Sequence, residues 1–317
     1  MPSITGYLSR YFSHEKPKPP PITTGTASAL LVIYTLVYVL PFYLSSTTRP
    51  SRTLSRDAPS VIRARITSVT LTCVFCSVST FVILTSQGHA TRPDALRSMG
   101  YWPVGLAEAA RSLLLTAILF VGPLYETFIV HGAWRDWLSL QPVSELFNEW
   151  TTWRNIVAGP FTEEVLFRSA SVPLMLLAQT SVTKTIFLSP VIFGLAHLHH
   201  FYEFRLSHPQ VPVSVSVLRS LIQLTYTSLF GAYATFLFLR TGSLLAIFVV
   251  HAFCNCMGFP RFWGRVEPLN ENEDSKSKPS IMWSVIYYVL LFVGAGLWWK
   301  NLGPLTQSAN ELVPVKI

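Results

Sequence analysis

SVTLTCVFCSVSTFVILTS, residues 68–86, carries no charged side chain from end to end. A helix needs roughly 20 apolar residues to cross ~30 Å of hydrocarbon at ~1.5 Å per residue, so this stretch is long enough to span a bilayer. Its Cys73 and Cys76 stand at i,i+3 and read as packing residues. Neither they nor Cys254 and Cys256 have a Cys or His mate at zinc-ligand spacing, and four cysteines in this chain length make no disulfide framework.

Comparable stretches flank it on both sides. They are TASALLVIYTLVYVLPFYL (26–44), AARSLLLTAILFVGPLYETFIV (109–130), a weaker one over 161–180, TKTIFLSPVIFGLAHLHHFY (183–202), VLRSLIQLTYTSLFGAYATFLFL (217–239), SLLAIFVVHAFCNCMGF (243–259) and SIMWSVIYYVLLFVGAGLWW (280–299). Of the 317 residues, 50% are hydrophobic and 13% charged, which excludes an ordinary soluble domain with a charged surface. The expected fold is all-α: a polytopic membrane protein of about eight transmembrane helices around a cytoplasm-facing polar cavity. Glu126 in the third stretch must then face protein or water.

The chain reads as one integral membrane domain over 1–317, with no internal repeat. Residues 1–25 form a Pro-rich leader, KPKPPPITT at 16–24, which lacks the features of a cleavable signal peptide. The core motifs fall within 160–256, and 266–280, containing PLNENEDSKSKP, reads as a flexible polar loop. The net charge of +8 suits an anionic lipid surface. Basic residues are not interleaved with aromatics as in a nucleic-acid groove, so the bilayer and not nucleic acid is the expected partner. Arg49, Arg52, Arg56, Arg63 and Arg65 put the first loop in the cytoplasm by the positive-inside rule.

Ionisable groups inside spans cost ~2.5–3.5 kcal/mol each on insertion scales and mark candidate sites. PFTEEVLFRSA (160–170) supplies Glu163, Glu164 and Arg168; FGLAHLHH (193–200) supplies His197; HAFCN (251–255) supplies His251 and Asn255. Span parity puts the start of the fourth stretch at the same membrane face as the ends of the fifth and seventh, so these groups converge at one depth. At i,i+4, Glu164 pairs with Arg168, and His251 and Asn255 point together into one cavity, leaving Glu163 free for chemistry. Singly, each has a plainer reading: Glu163 as a carboxylate favoured near a helix N-terminus, Glu164–Arg168 as architecture, His197, His199 and His200 as interfacial histidines, and His251 with Asn255 as interhelical hydrogen bonders.

A carboxylate and a histidine can orient and deprotonate a water, while a second histidine and an amide can donate to the oxyanion formed when that water attacks a carbonyl. No GxSxG elbow exists, and the only His-Glu pair is His14-Glu15 in the leader, so no helical HExxH zinc site is encoded. Ligand types alone leave open a zinc held by Glu163, His197 and His251; the expectation is that no metal or other cofactor is needed.

In order, EExxxR (Glu163-Glu164…Arg168), FxxxH (Phe193…His197) and HxxxN (His251…Asn255) resemble the type II CAAX prenyl endopeptidases, the Ras-converting enzyme family within the CAAX-protease and bacteriocin-processing membrane proteins. The resemblance covers 163–255. It implies that Glu163 is the general base, His197 its partner, and His251 and Asn255 the oxyanion donors, with Glu164 and Arg168 in support. It further implies an endoplasmic reticulum membrane enzyme with its site facing the cytoplasm. Such an enzyme cuts prenylated CAAX proteins such as Ras-like small GTPases after the modified cysteine and releases the last three residues. The competing readings are a non-proteolytic scaffold of the same superfamily and a carboxylate/histidine proton-relay transporter.

Overall fold

A computed structural model of the chain describes residues 19–49, 51, 54–269 and 280–315. Most of the leader, Arg52 and most of the polar loop of 266–280 lie outside these residues. The described residues form helices and connections with no strand. Those that build the site are α1 (Thr24–Val39), α2 (Pro59–Ser86), α3 (Leu106–Leu119), α4 (Gly159–Glu164), α5 (Val182–Ala196), α6 (His199–Ser207), α7 (Val213–Thr241), α8 (Leu244–Met257) and α9 (Ile281–Thr306). Their ends follow local chemistry. The Thr23 hydroxyl accepts from the Thr26 N–H to open α1, Pro59 starts α2 where a missing N–H is harmless, and Gly242 closes α7 in the left-handed region.

Five helical segments are long and apolar enough to span a membrane: Thr24–Leu44, Pro59–Ser86, Val182–Ser207, Val213–Thr241 and Ile281–Thr306. A sixth is α3 joined to Val121–Val130 across a 79° bend. The expected eight is therefore corrected to five or six among the described residues. The two stretches that fall short are the ones around Glu163 and His251, and both are shortened for a physical reason. The path from Trp150 to Leu177 is interrupted by π-helical turns at Arg154–Ala158 and Val165–Ala170 and carries Pro160 and Pro173, while α8 has only 14 residues. The broken path needs no greater length, because Val165 to Met175 are buried by protein on every side. Long outer helices face outward instead: Leu71, Phe75 and Val78 of α2 and Phe292 of α9 are all exposed, as lipid contact requires.

The core gathers Leu166, Phe167 and Met175 from the broken path against Leu31 of α1, Cys76 of α2 and Phe238 of α7. The two membrane cysteines thus pack, and Glu126 faces protein, accepting from Arg261 Nη2 at 2.7 Å. Helices α5 and α7 approach closely through two glycines, the small-residue device of membrane interfaces. A Cβ on Gly231 would sit 2.7 Å from Pro190 Cβ and 3.0 Å from Arg168 Nη2, and one on Gly194 would sit 2.6 Å from Leu224 Cδ1.

Gly231→Ala is therefore expected to destabilise the protein by about 1–3 kcal/mol through overpacking against a rigid proline ring. Gly296→Ala, whose added methyl meets nothing within 4 Å, should be neutral or slightly stabilising through helix propensity. Thermal unfolding of the two variants in detergent checks the contrast.

Candidate active site

Glu164, 0% exposed, sits where α4 passes into the π turn of Val165–Ala170. Its Oε1 accepts from Arg168 Nη1 at 2.9 Å and from His251 Nδ1 at 2.7 Å. The expected Glu164–Arg168 pair is present and fully buried, and the second partner was not expected. Arg168 also lies over the Phe193 ring, 4.8 Å from its centroid, and 6.0 Å from that of Phe230, so its Nη2, which has no hydrogen bond among the described residues, meets aromatic faces.

A carboxylate only accepts, so the bond to Glu164 fixes the proton of His251 on Nδ1 and turns Nε2 toward Glu163, 3.9 Å from Glu163 Oε2. His197 is oriented by the same logic. Its Nδ1 donates to the Phe193 carbonyl at 3.1 Å, leaving Nε2 as the acceptor. The ring stands edge-on to Phe193 with centroids 4.7 Å apart.

Glu163 and His197 share a cavity of about 170 Å³ whose wall also includes Tyr38 and Phe167. His251 and Asn255 do not line it, which corrects the expectation that they point together into the same cavity. His251 reaches Glu163 from the side, and the Asn255 amide donates to the Asn155 carbonyl at 2.8 Å. The reason is the π turn at Arg154–Ala158, which brings the backbone of Asn155 against the exposed end of α8. One N–H of the Asn255 amide remains for another acceptor. The π turn at 165–170 is braced in a similar way, Thr80 of α2 donating to the Ala170 carbonyl at 2.8 Å. Such turns are frequent at functional sites.

Sequence reading missed the cationic side of the cavity. Arg56, Arg65 and Arg154 line it together with His199 and His200. Glu203, 4% exposed on α6, accepts from Arg65 at 2.8 Å and Arg56 at 3.4 Å. These residues lie far apart in sequence; an isolated Glu in the segment after the histidines was the only signal available. His199, His200 and Glu203 also bring three metal-binding atoms within 4.8 Å. Both Glu203 oxygens, however, already serve cationic donors, and two arginines beside them oppose a further cation. The donor set does not fit a metal site.

The fold and site together define an all-α polytopic membrane protein with a carboxylate and two oriented histidines poised for hydrolytic chemistry. A family model described as type II CAAX prenyl endopeptidase Rce1-like matches residues 144–257, the span that holds all of these groups. The chain is 36% identical over 278 residues to the probable CAAX prenyl protease 2 of Schizosaccharomyces pombe, covering 88% of this chain and 93% of that protein. It is 33% identical to CAAX prenyl protease 2 of Arabidopsis thaliana, covering 75% and 81%, and 31% identical to that of Homo sapiens, covering 84% of each. No solved structure matches it. The chain belongs to the type II CAAX prenyl endopeptidase family.

Removing Arg168 would leave Glu164 buried with His251 as its one partner. Arg168→Ala should therefore lose about 3–5 kcal/mol of stability, the usual cost of breaking a buried pair. A double variant, Arg168→Met with Glu164→Leu, should regain most of that stability while losing activity, because His251 is no longer oriented. Unfolding midpoints alongside turnover separate the two effects.

Proposed function

We propose that this chain is an intramembrane endopeptidase that cleaves prenylated C-terminal CAAX sequences after the modified cysteine and releases the last three residues. Its family membership supports the activity. The observation that carries the mechanism is that Glu163 faces a cavity with His197 and stands 3.9 Å from His251 Nε2, while Glu164 holds the far side of that ring.

In this reading a water sits between Glu163 and the free Nε2 of His197. Glu163 takes a proton from the water as its oxygen attacks the carbonyl carbon of the prenylated cysteine, and the carbonyl electron pair moves onto oxygen. The proton is shared between Glu163 and His251 Nε2. Glu164 stabilises the imidazolium so formed, as a buried carboxylate does in a hydrolase triad. The oxyanion forms on the side of Glu163 that faces His251, outside the cavity wall, where the protonated His251 and the spare N–H of Asn255 donate to it. Collapse expels the amine of the next residue, which takes back that one shared proton by way of Glu163 and returns His251 to its neutral form, and the two products are a prenylcysteine carboxylate and a free tripeptide. In this reading the water and the side chains supply every proton and electron pair, and no step calls on a metal.

Prenylated CAAX proteins such as Ras-like small GTPases are the substrates in this reading, and the endoplasmic reticulum membrane is the location. Arg56 and Arg65 belong to the basic first loop and its following helix, and both line the cavity; by the positive-inside rule this supports a cytoplasmic site. A lipid chain can then stay in the bilayer while the peptide end enters the cavity.

Glu163→Gln keeps the size of the side chain and removes the base. It should abolish cleavage of a prenylated CAAX peptide while unfolding at the wild-type midpoint, and wild-type turnover should persist in chelator. Near-wild-type activity of a folded Glu163→Gln protein would remove the assignment, and zinc-specific rescue after chelation would remove the metal-free mechanism.

Asn255→Ala should lower turnover roughly 10²–10³-fold with little change in KM, the usual loss for one oxyanion donor. Asn255→Asp loses that donor and places a carboxylate beside both the oxyanion and the Asn155 carbonyl, so it should be no more active than the alanine variant. Steady-state kinetics of both variants decide; recovery of activity in the aspartate variant would make Asn255 an anchor for the Asn155 turn alone.

A further inference from the structure

The cavity that holds Glu163 has a cationic wall that the hydrolytic steps above do not use. Arg56, Arg65 and Arg154 line it, and the carboxylates they touch are Asp57 and Glu203. Among the described residues the three guanidiniums share these two carboxylates, Asp57 being 54% exposed, and Glu163, the remaining carboxylate of the cavity, makes no ion pair with them. Resting on the endopeptidase reading, we propose that this wall, with Arg154 as its principal donor and Arg56 beside it, receives the free C-terminal carboxylate of the substrate and so restricts cleavage to chain ends.

The three arginines are not equivalent. Arg65 is committed: its Nε and Nη2 both donate to the Thr48 carbonyl, at 3.1 and 2.9 Å, and Nη2 also serves Glu203. Arg154 is held more loosely. Its Nε donates to Asn155 Oδ1 at 3.0 Å and its Nη1 to Asp57 Oδ1 at 2.8 Å, while its Nη2 makes no hydrogen bond among the described residues. Asp57 is 54% exposed, so that ion pair is screened by water and exchanges readily. A guanidinium whose Nη2 is free and whose Nη1 sits in a screened pair can turn one edge to an incoming carboxylate, the geometry to which it is best shaped. Arg56 adds a second cation, 44% exposed, whose contacts to Glu203 and Asp57 are long, at 3.4 and 3.8 Å.

The spacing fits a tripeptide. Three extended residues reach at most about 10 Å. Arg154 precedes Glu163 by nine residues on a path that the π turn at Arg154–Ala158 shortens, so the axial rise between them is below about 13 Å, and both residues line the one cavity. A carboxylate three residues beyond the scissile bond therefore meets Arg154 when the bond lies at Glu163. An internal peptide segment brings no such charge to the wall.

The test compares one prenylated CAAX peptide with a free C-terminal carboxylate against the same peptide as the C-terminal amide, using full-length protein in detergent. Wild type should prefer the acid roughly 10- to 100-fold in kcat/KM, as one or two charge-assisted hydrogen bonds would supply, mostly through KM. In Arg154→Gln that preference should fall close to one, and in Arg154→Lys it should be intermediate. The preference is a ratio within one preparation, so partial loss of folded protein cancels. Should Arg154→Gln fail to fold, Arg56→Gln is expected to reduce the ratio several-fold. Equal cleavage of acid and amide by wild type overturns this proposal alone, as does a preference that survives in Arg154→Gln, or in Arg56→Gln where that variant takes its place. No cleavage of either peptide by wild type removes the endopeptidase reading and this proposal with it.

Discussion

A carboxylate with no exposed surface, Glu164, is held between a guanidinium and an imidazole within a helix that lipid-facing helices surround. Desolvating one such charge costs several kcal/mol, so the surroundings must supply its partners with little freedom to move. Arg168 provides the opposite charge one turn along the same path. It is itself confined by the Phe193 and Phe230 rings and by the absence of a side chain at Gly231. His251 provides the second bond and is fixed by it. The close approach of α5 and α7, the smallness of residue 231 and the ring orientation of His251 are thus consequences of one buried anion. The adjacent Glu163 gains a neighbour whose reactive nitrogen is already aimed.

The π turns serve the same requirement. A regular helix would pass Glu164, Arg168 and Asn155 along a steady 3.6-residue spiral, with its carbonyls turned inward to its own amides. Wider turns at 154–158 and 165–170 release main-chain oxygens to other helices, and Thr80 and Asn255 take up two of them. In a bilayer interior an unmet carbonyl is expensive, so each released oxygen specifies a partner on a neighbouring helix. This is how a short, broken helix comes to be positioned by α2 and α8 at once.

Much of this was legible in the sequence, and the parts that were not share a cause. Runs such as 68–86 identify spans because hydrophobic length is a local property, and Glu164 with Arg168 could be paired because i,i+4 is local too. The stretch at 161–180 was counted as a full span although Pro160, Pro173 and two π turns break it. Apolar composition cannot distinguish a helix that faces lipid from one that protein encloses. Asn255 was expected beside His251 in the cavity because regular helical spacing was assumed; the partner that redirects it, the Asn155 carbonyl, has no side-chain signature. Glu203 carried no pattern either, since Arg56 and Arg65 reach it from the opposite end of the chain through tertiary contact.

The two adjacent glutamates end with opposite characters although their side chains are chemically identical. Glu164 has a guanidinium and an imidazole on a single oxygen and no exposure, so its side chain is locked in place. Glu163 lies on the preceding position of the helix and faces a cavity, and its ion-pair neighbour among the described residues is the far nitrogen of His251 at 3.9 Å, beyond hydrogen-bond length. Glu164 is thus held by two bonds to one oxygen, its Oε2 having no hydrogen-bond partner among the described residues, whereas Glu163 meets the more distant His251 Nε2. One helical step of about 100° therefore divides a buried, doubly bonded carboxylate from one that faces a cavity, and the His251 ring stands between them.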